Sequence, residues 1–380
     1  MKNKLLLSTA LIGSMVAADL ALAQTTVTGN LAVNYRAQER KVAATGSLTS
    51  TRGFGRETQL NIQNKGKLNN GMDYAAGFSL EFDGQDRISN VVGSQAVGGD
   101  REPNTISNEN IYVNFINGGT TLHLGVDHIQ NITTDVVPMV LPLMDNVAAG
   151  ISGKATNTIG ANPKESFGFG LIQVIPGSGV TASALYVPKN RDFGNGDQVA
   201  PSGCTVAAAA GANVLQQTGA QTIGCGNSAY EIGLVGTDAF GIKGLGFRAF
   251  KNEEQAQTSA VTDIEGEHYG IRYATGPVAV GIEKYKQNRT ATNDATNADQ
   301  DTLQYGITYA VSKDISVGLV QAKTDLSNTT LEEKITSAQI GYNLGPVAIA
   351  AAVSKVTDVG ASSTAGSDSK EVQFRVTTAF

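Results

Sequence analysis

The amino-acid sequence predicts an all-β chain, sixteen antiparallel strands closed into a transmembrane barrel with short turns at one end and long external loops at the other. Three observations predict it. Glycine outnumbers proline 44 to 9 in 380 residues, and 41% of the residues are hydrophobic. That balance suits long strands and excludes a disordered chain, which would be rich in proline and poor in apolar residues. Apolar and polar residues alternate with a period of two in segments of about ten residues. Short reversals also take turns with long polar connections, the rhythm of a membrane barrel.

Residues 1–23, MKNKLLLSTALIGSMVAADLALA, carry a basic head at Lys2 and Lys4, an apolar stretch from Leu5 to Ala18 and a small-x-small site at Ala21 to Ala23. This is the pattern of a cleaved secretory signal peptide. A membrane anchor would need a longer apolar run, and Asp19 interrupts this one. Residues 24–380 are then expected to form a single barrel domain. Loss of Lys2, Lys4 and Asp19 takes 28 basic and 34 acidic side chains to 26 and 33, net −7, which argues against nucleic acid as a partner. Cys204 and Cys225 share one polar, Gly/Ala-rich stretch. An exported chain with an even cysteine count favours a disulfide there, the alternative being two free thiols.

The first strand, 25–37, sets Val27, Leu31, Val33 and Tyr35 against Asn30, Asn34 and Arg36. The second is expected at 54–66 and the third at 70–83, where Tyr74, Phe78, Leu80 and Phe82 oppose Gly77, Ser79 and Glu81. At 107–117 Ile111, Val113 and Phe115 share a face; at 119–128 Leu122, Leu124 and Val126 oppose His123, Gly125 and Asp127. Further strands are expected at 165–175, 179–188, 228–239, 243–253, 263–275, 277–288, 301–312, 314–324, 332–344 and 346–357. The last is KEVQFRVTTAF, 370–380, with Val372, Phe374, Val376 and Phe380 on one parity. Two turns nearly repeat each other 69 residues apart, YATGPVAVG at 273–281 and YNLGPVAIA at 342–350. Each places proline at a strand start, where no ladder donor is needed.

The second face decides between a membrane barrel and a soluble sandwich or adhesin, which would also alternate. A soluble barrel fills its interior with large apolar groups. Here the opposite parity holds Gly, Asn, Gln, Thr and charge, which suits a water-filled lumen. Closure must pair the last strand with the first, because unpaired backbone in hydrocarbon costs several kcal/mol per group. With no tryptophan, the interfacial girdles must come from 11 Tyr and 12 Phe.

The stretch STRGFGRETQLNIQNKGKLNNGMDYAAGFSLEF, 50–82, resembles the second and third strands of the Gram-negative general porins, with their tight G-x-L-x-N-G turn. The signal peptide, the terminal Phe380 and the strand count are similar too, so the likeness spans essentially the whole chain. It implies a homotrimer in outer-membrane lipid and passive diffusion of small hydrophilic solutes and ions. It also implies that Phe380 helps the barrel assembly machinery to recognise the chain. A solute-specific porin, or a surface adhesin or structural barrel with a plugged lumen, is the alternative.

The family folds its third loop into the barrel. The equivalent here is the long connection 127–163, whose middle, VVPMVLPLMDN at 136–146, is apolar in a way a solvated loop should not be. It is expected to pack on the inner wall and present Asp135 and Asp145 to the channel. The alternatives are packing over the rim or against a neighbouring subunit. This loop lacks the Pro-Glu-Phe-Gly-Gly-Asp-like tip frequent in the family.

The inward parity should carry Arg36, Glu81, His123, Asp127, Glu231, Arg272, Glu283 and Arg375, with Arg36 and Arg375 on adjacent strands after closure. Arg248 is ambiguous, since both parities around it hold an aromatic. A basic cluster facing Asp135 and Asp145 would set a transverse field across the narrowest point; the bland alternative is ordinary solvation of the lumen. The net acidity leans towards cations. Arg52 and Arg56 are expected near the outer rim, within reach of headgroup phosphates. No catalytic set, cofactor motif or metal spacing is found: His123, His128 and His268 form no helical pair, and TNDATNADQD at 292–301 lacks the EF-hand register.

Overall fold

The computed structural model describes residues 23–42, 46–85, 107–126, 136–141, 167–188, 228–254, 264–289, 299–327, 330, 332–358 and 368–380. Its first strands are β1 (Gln24–Val42), β2 (Ser47–Lys67), β3 (Asp73–Gln85), β4 (Ser107–Asn117) and β5 (Thr120–Val126). Then come β6 (Phe167–Ile175), β7 (Val180–Val187), β8 (Ala229–Thr237), β9 (Leu245–Glu254), β10 (Ile264–Thr275) and β11 (Val278–Arg289). The set ends with β12 (Gln300–Ala310), β13 (Ile315–Leu326), β14 (Glu332–Asn343), β15 (Val347–Thr357) and β16 (Ser369–Ala379). Each pairs antiparallel with its sequence neighbours, and β1 pairs with β16 from Asn30↔Ala379 to Arg40↔Ser369, closing a sixteen-strand barrel. Closure leaves no sheet edge to face hydrocarbon. Among the described residues no helix is long and apolar enough to cross a membrane.

The strands follow the expected segments, with one enlargement. The first hairpin runs from Gln24 to Lys67 and reverses at Gly46, where φ is +65°, so β1 and β2 outreach the alternating apolar segments. Polar residues occupy both faces of that extension (Gln38, Glu39, Arg40, Thr49, Ser50, Thr51), so the periodic signal fades while the ladder continues. Sheet hydrogen bonds need no side-chain alternation once the hairpin is started.

Parity sorts the side chains as hydrophobicity requires. Leu122, Phe169, Ile232, Ile271 and Val353 stand outward with 50–62% of their surface exposed, the arrangement of a lipid-facing band. Tyr273, Tyr309 and Tyr342 ring the turn end on that same face, and Tyr35 and Phe54 stand near the loop end with ring centroids 5.0 Å apart. The apolar rings and wet hydroxyls suit the two interfaces.

Phe380 completes the seam. Its backbone N–H donates to the Gly29 carbonyl at 3.0 Å and its own carbonyl accepts from Gly29 N–H at 2.9 Å. The ring lies over Gly29, where an added Cβ would come within 2.5 Å of a ring carbon. Only glycine at that register leaves space for the terminal aromatic on the outer face.

The inner wall differs from the uniformly hydrated one that the sequence suggests. On β7, β8 and β9 it carries Leu185, Val187, Ala229 and Phe250, each at most 3% exposed, and on β13 to β15 it carries Val320, Ala322, Ile335 and Val356. Polar and charged groups dominate on β1, β2 and β16 instead. Period-two alternation distinguishes two faces but does not say how each face varies around the circumference.

Candidate functional site

Residues Val136 to Leu141 lie inside the barrel, against the inner faces of β10 to β14. Two forces place them. The first is apolar: Val137 packs with Val320, Ala322, Ile335 and Val356, with Met139 against the same cluster, and Val137 is only 3% exposed. Burying such groups is worth about 1.5–3 kcal/mol per large aliphatic side chain. The second is polar, because a segment with no ladder partner must satisfy its amides elsewhere.

The wall supplies those partners at two posts. Gln339 on β14 accepts from the Val140 and Leu141 N–H groups at 2.8 and 3.0 Å, and its Nε2 donates to the Leu141 carbonyl at 2.7 Å. Glu283 on β11 accepts from Val136 N–H at 2.6 Å. Its other oxygen accepts from Gln304 Nε2 at 2.8 Å, and His268 Nε2 lies 3.2 Å from the first. Glu283, Gln304 and His268 are all almost wholly buried. Phe250 meets the His268 ring edge-on at 5.2 Å and Tyr285 stacks on it at 4.2 Å, holding the imidazole in one orientation. A buried carboxylate with three polar neighbours is a rigid anchor.

Glycines on the inward parity make the seat shallow enough. An added Cβ would lie 2.9 Å from Val136 at Gly270, 2.7 Å from Pro138 at Gly281, and 2.6 Å from Val137 at Gly306. At Gly318 and Gly341 it would meet Val140 at 3.3 and 2.6 Å. One glycine on each of five consecutive strands thus cuts a track for the hexapeptide. Gly306→Val should therefore lift the segment at an overpacking cost of about 1–3 kcal/mol. The measurable result is a changed single-channel conductance, partly restored by adding Val137→Ala.

The charged wall sits on the neighbouring strands. Arg36 on β1 pairs with Glu371 on β16 at 3.3 Å, and Gln38 Nε2 donates to the same carboxylate at 2.8 Å. Arg375 on β16 pairs with Glu57 on β2 at 3.2 Å. Arg36 and Arg375 are therefore inward and on adjacent strands, as the parity predicts, but each carries a counter-charge that sequence reading did not assign. Glu231 and Glu283 are inward and buried, Arg272 is inward and exposed, and Arg248 is resolved as inward opposite Gly270. Arg52 and Arg56 point outward, opposite Ala37 and Val33.

His123 is inward on β5, and His128 lies outside the described residues. Its Nδ1 lies 2.8 Å from Asn114 Oδ1, and Tyr112 stacks beside it at 6.4 Å while accepting from Gln63 Nε2. Gly77 and Gly125 leave room for these rings. Glu81 pairs with Gln59 in the ladder between β3 and β2. Asp127, Asp135, Asp145, Cys204 and Cys225 lie outside the described residues, as do residues 1–22. Among the described residues no group of three His, Cys, Asp or Glu could hold a metal ion.

The residues missed by sequence reasoning are Gln339, Gln304, the counter-ions Glu57 and Glu371, and the glycine track. A signal existed: glycine recurs on the inward parity of five successive strands, all late in the chain. Without the register, nothing tied those positions to residues 136–141.

A closed barrel with an oily outer band, charged groups inside and a chain segment seated on its inner wall is a membrane channel protein. The family description "Gram-negative porin" matches residues 8–329, and the chain belongs to the Gram-negative porin family. It is an outer-membrane porin channel. Among solved structures, the anion-selective porin from Comamonas acidovorans is similar at 15% identity, with 94% of this chain and 100% of that chain covered and a TM-score of 0.61. A triple-mutant porin from Rhodopseudomonas blastica is similar at 13% identity, with the same coverage and a TM-score of 0.53. At these identities the likeness is one of fold. No curated protein sequence matches significantly.

Proposed function

We propose that the chain is a passive diffusion channel for small hydrophilic solutes and ions, narrowed by the segment around residues 136–141. The observation that carries this reading is the apolar hexapeptide held inside the barrel by Gln339 and Glu283. A loop so anchored reduces the open cross-section without closing it. Asp135 adjoins the seated segment and Asp145 lies four residues past it. Both carboxylates are proposed to face the lumen, with Arg36 and Arg375 on the wall beyond β14 completing a transverse field. Because those arginines carry their own carboxylates, the net acidity of the chain is left to set a weak cation preference.

The remaining parts of the reading concern assembly. Residues 1–23 act as a cleaved signal peptide, Cys204 and Cys225 close an external loop as a disulfide, and three copies associate in outer-membrane lipid. Phe380, aromatic and outward at the seam, serves as the mark read by the barrel assembly machinery.

Planar-bilayer recording tests the central claim. Conductance should rise linearly with salt and voltage, and a tenfold salt gradient should give a small reversal potential of cation sign. Saturation with block by one solute at low concentration would instead mean a solute-specific channel. A protein that never raises conductance would be a plugged barrel. Deleting residues 135–147 should raise conductance if the segment narrows the pore, and an unchanged value would refute that role.

A further inference from the structure

The outward faces of the last strands carry a charge arrangement that the transport role does not use. At the loop end of β9 to β13 three outward lysines are ion-paired, and a fourth, Lys286, stands directly opposite Glu267 and Asp301. Lys251 lies 3.6 Å from Glu265, Lys284 lies 2.8 Å from Asp301, and Lys323 lies 3.3 Å from Glu332. On β14 to β16 lysine faces lysine across the ladder. Lys355 stands directly opposite Lys370, and Lys334, diagonal to Lys355, stands directly opposite Lys323. Like charges directly opposite on one face destabilise a sheet, and such neighbours are only about 5 Å apart at Cβ. Lys334, Lys355 and Lys370 have no carboxylate partner among the described residues. Glu332 is taken by Lys323, and Glu39, opposite Lys370 on β1, forms no ion pair with it.

We propose that Lys334, Lys355 and Lys370 form a binding site for the phosphate group of an anionic lipid in the surrounding leaflet. Their place in the fold selects the occupant. All three lie on the lipid-facing parity at the loop end of their strands; Lys355 and Lys370 stand directly above Val353 and Val372, and Lys334 stands above Thr336, with Ala338 and Ile340 beneath it. A molecule seated there meets cations above and hydrocarbon below. That is the division within a phospholipid or a phosphorylated glycolipid. Free phosphate would gain the cations alone. Ammonium groups on flexible stems reach up to the headgroup layer while their methylenes stay in the apolar zone. The repulsion between Lys355 and Lys370 is offset once a phosphate between them attracts both.

Native mass spectrometry of the full chain in detergent, titrated with phosphatidylglycerol or phosphatidylcholine, tests the site. Phosphatidylglycerol should be retained and phosphatidylcholine not. K334Q/K355Q/K370Q should weaken phosphatidylglycerol retention by about tenfold or more. Its barrel should keep heat-modifiable mobility in gels and its conductance should be unchanged. K334R/K355R/K370R should retain the lipid, showing that positive charge is what matters. Equal retention by wild type and the glutamine variant would overturn the proposal. So would a glutamine variant that changes oligomeric state while keeping its lipid, since the face would then be covered by another copy of the chain.

Discussion

Replacing Gln339 by leucine is expected to release the segment 136–141 from the wall and raise single-channel conductance. Three hydrogen bonds from the segment end on this one amide, two accepted from Val140 and Leu141 N–H and one donated to the Leu141 carbonyl. Leucine fills similar volume and makes none of them. The orphaned backbone groups then cost about 1–3 kcal/mol each if they stay buried. The cheaper course is for the segment to leave and hydrate. A loss of about 3 kcal/mol shifts a two-state equilibrium by roughly a hundredfold, enough to make an unseated loop the common state. The recording should show larger and noisier steps. Gln339→Glu is the control, since it keeps the two acceptors and loses only the donor. Steps identical to wild type in Gln339→Leu would mean that the apolar contacts of Val137 suffice alone.

Replacing Glu283 by leucine should have the second large effect, and on stability as well as conductance. The carboxylate serves the loop through Val136 N–H and the wall through Gln304, with His268 3.2 Å away. Its removal strands several buried polar groups at once, and breaking such a buried network typically costs about 3–5 kcal/mol. The variant should unfold at lower temperature in the gel-mobility assay and show a widened pore. Glu283→Gln should fall between the two. It retains one acceptor and so can hold either Val136 or Gln304 but not both in the same geometry. A leucine variant as heat-resistant as wild type would show that water replaces the carboxylate without loss.

The two posts also explain why the loop needs no tip motif. An apolar hexapeptide can be held by a track of glycines and two long polar side chains, provided the barrel wall places them opposite each other. Val137 enters between Val320 and Ile335 because the inner wall there is already oily. The inner wall is thus charged on β1, β2 and β16 and apolar beneath Val137.

Much of this fold was legible in the residues. Strand number, strand order and the facing of Leu122, Phe169, Tyr273 or Arg36 follow from two-residue alternation, a local property that survives in any antiparallel closure. The pairing of β1 with β16 follows from the exclusion of free edges from hydrocarbon. Inward placement of Arg36, His123, Arg272 and Arg375 needed nothing more. The extra length of the first hairpin did not show, since both faces there are polar.

Which inward residues meet is a different matter. Val140 and Gln339 are 199 positions apart, Val136 and Glu283 147, Arg36 and Glu371 335. No periodicity encodes such pairs. They depend on strand register around a closed sheet and on where a loop re-enters the lumen, and both are set by packing volume and hydrogen-bond satisfaction in three dimensions. Local alternation was enough to give the barrel its two faces. The closed ring chose the glycine track, the Gln339 and Glu283 anchors and the counter-ions of the arginines, because contacts across a lumen are properties of the whole ring and not of any strand within it.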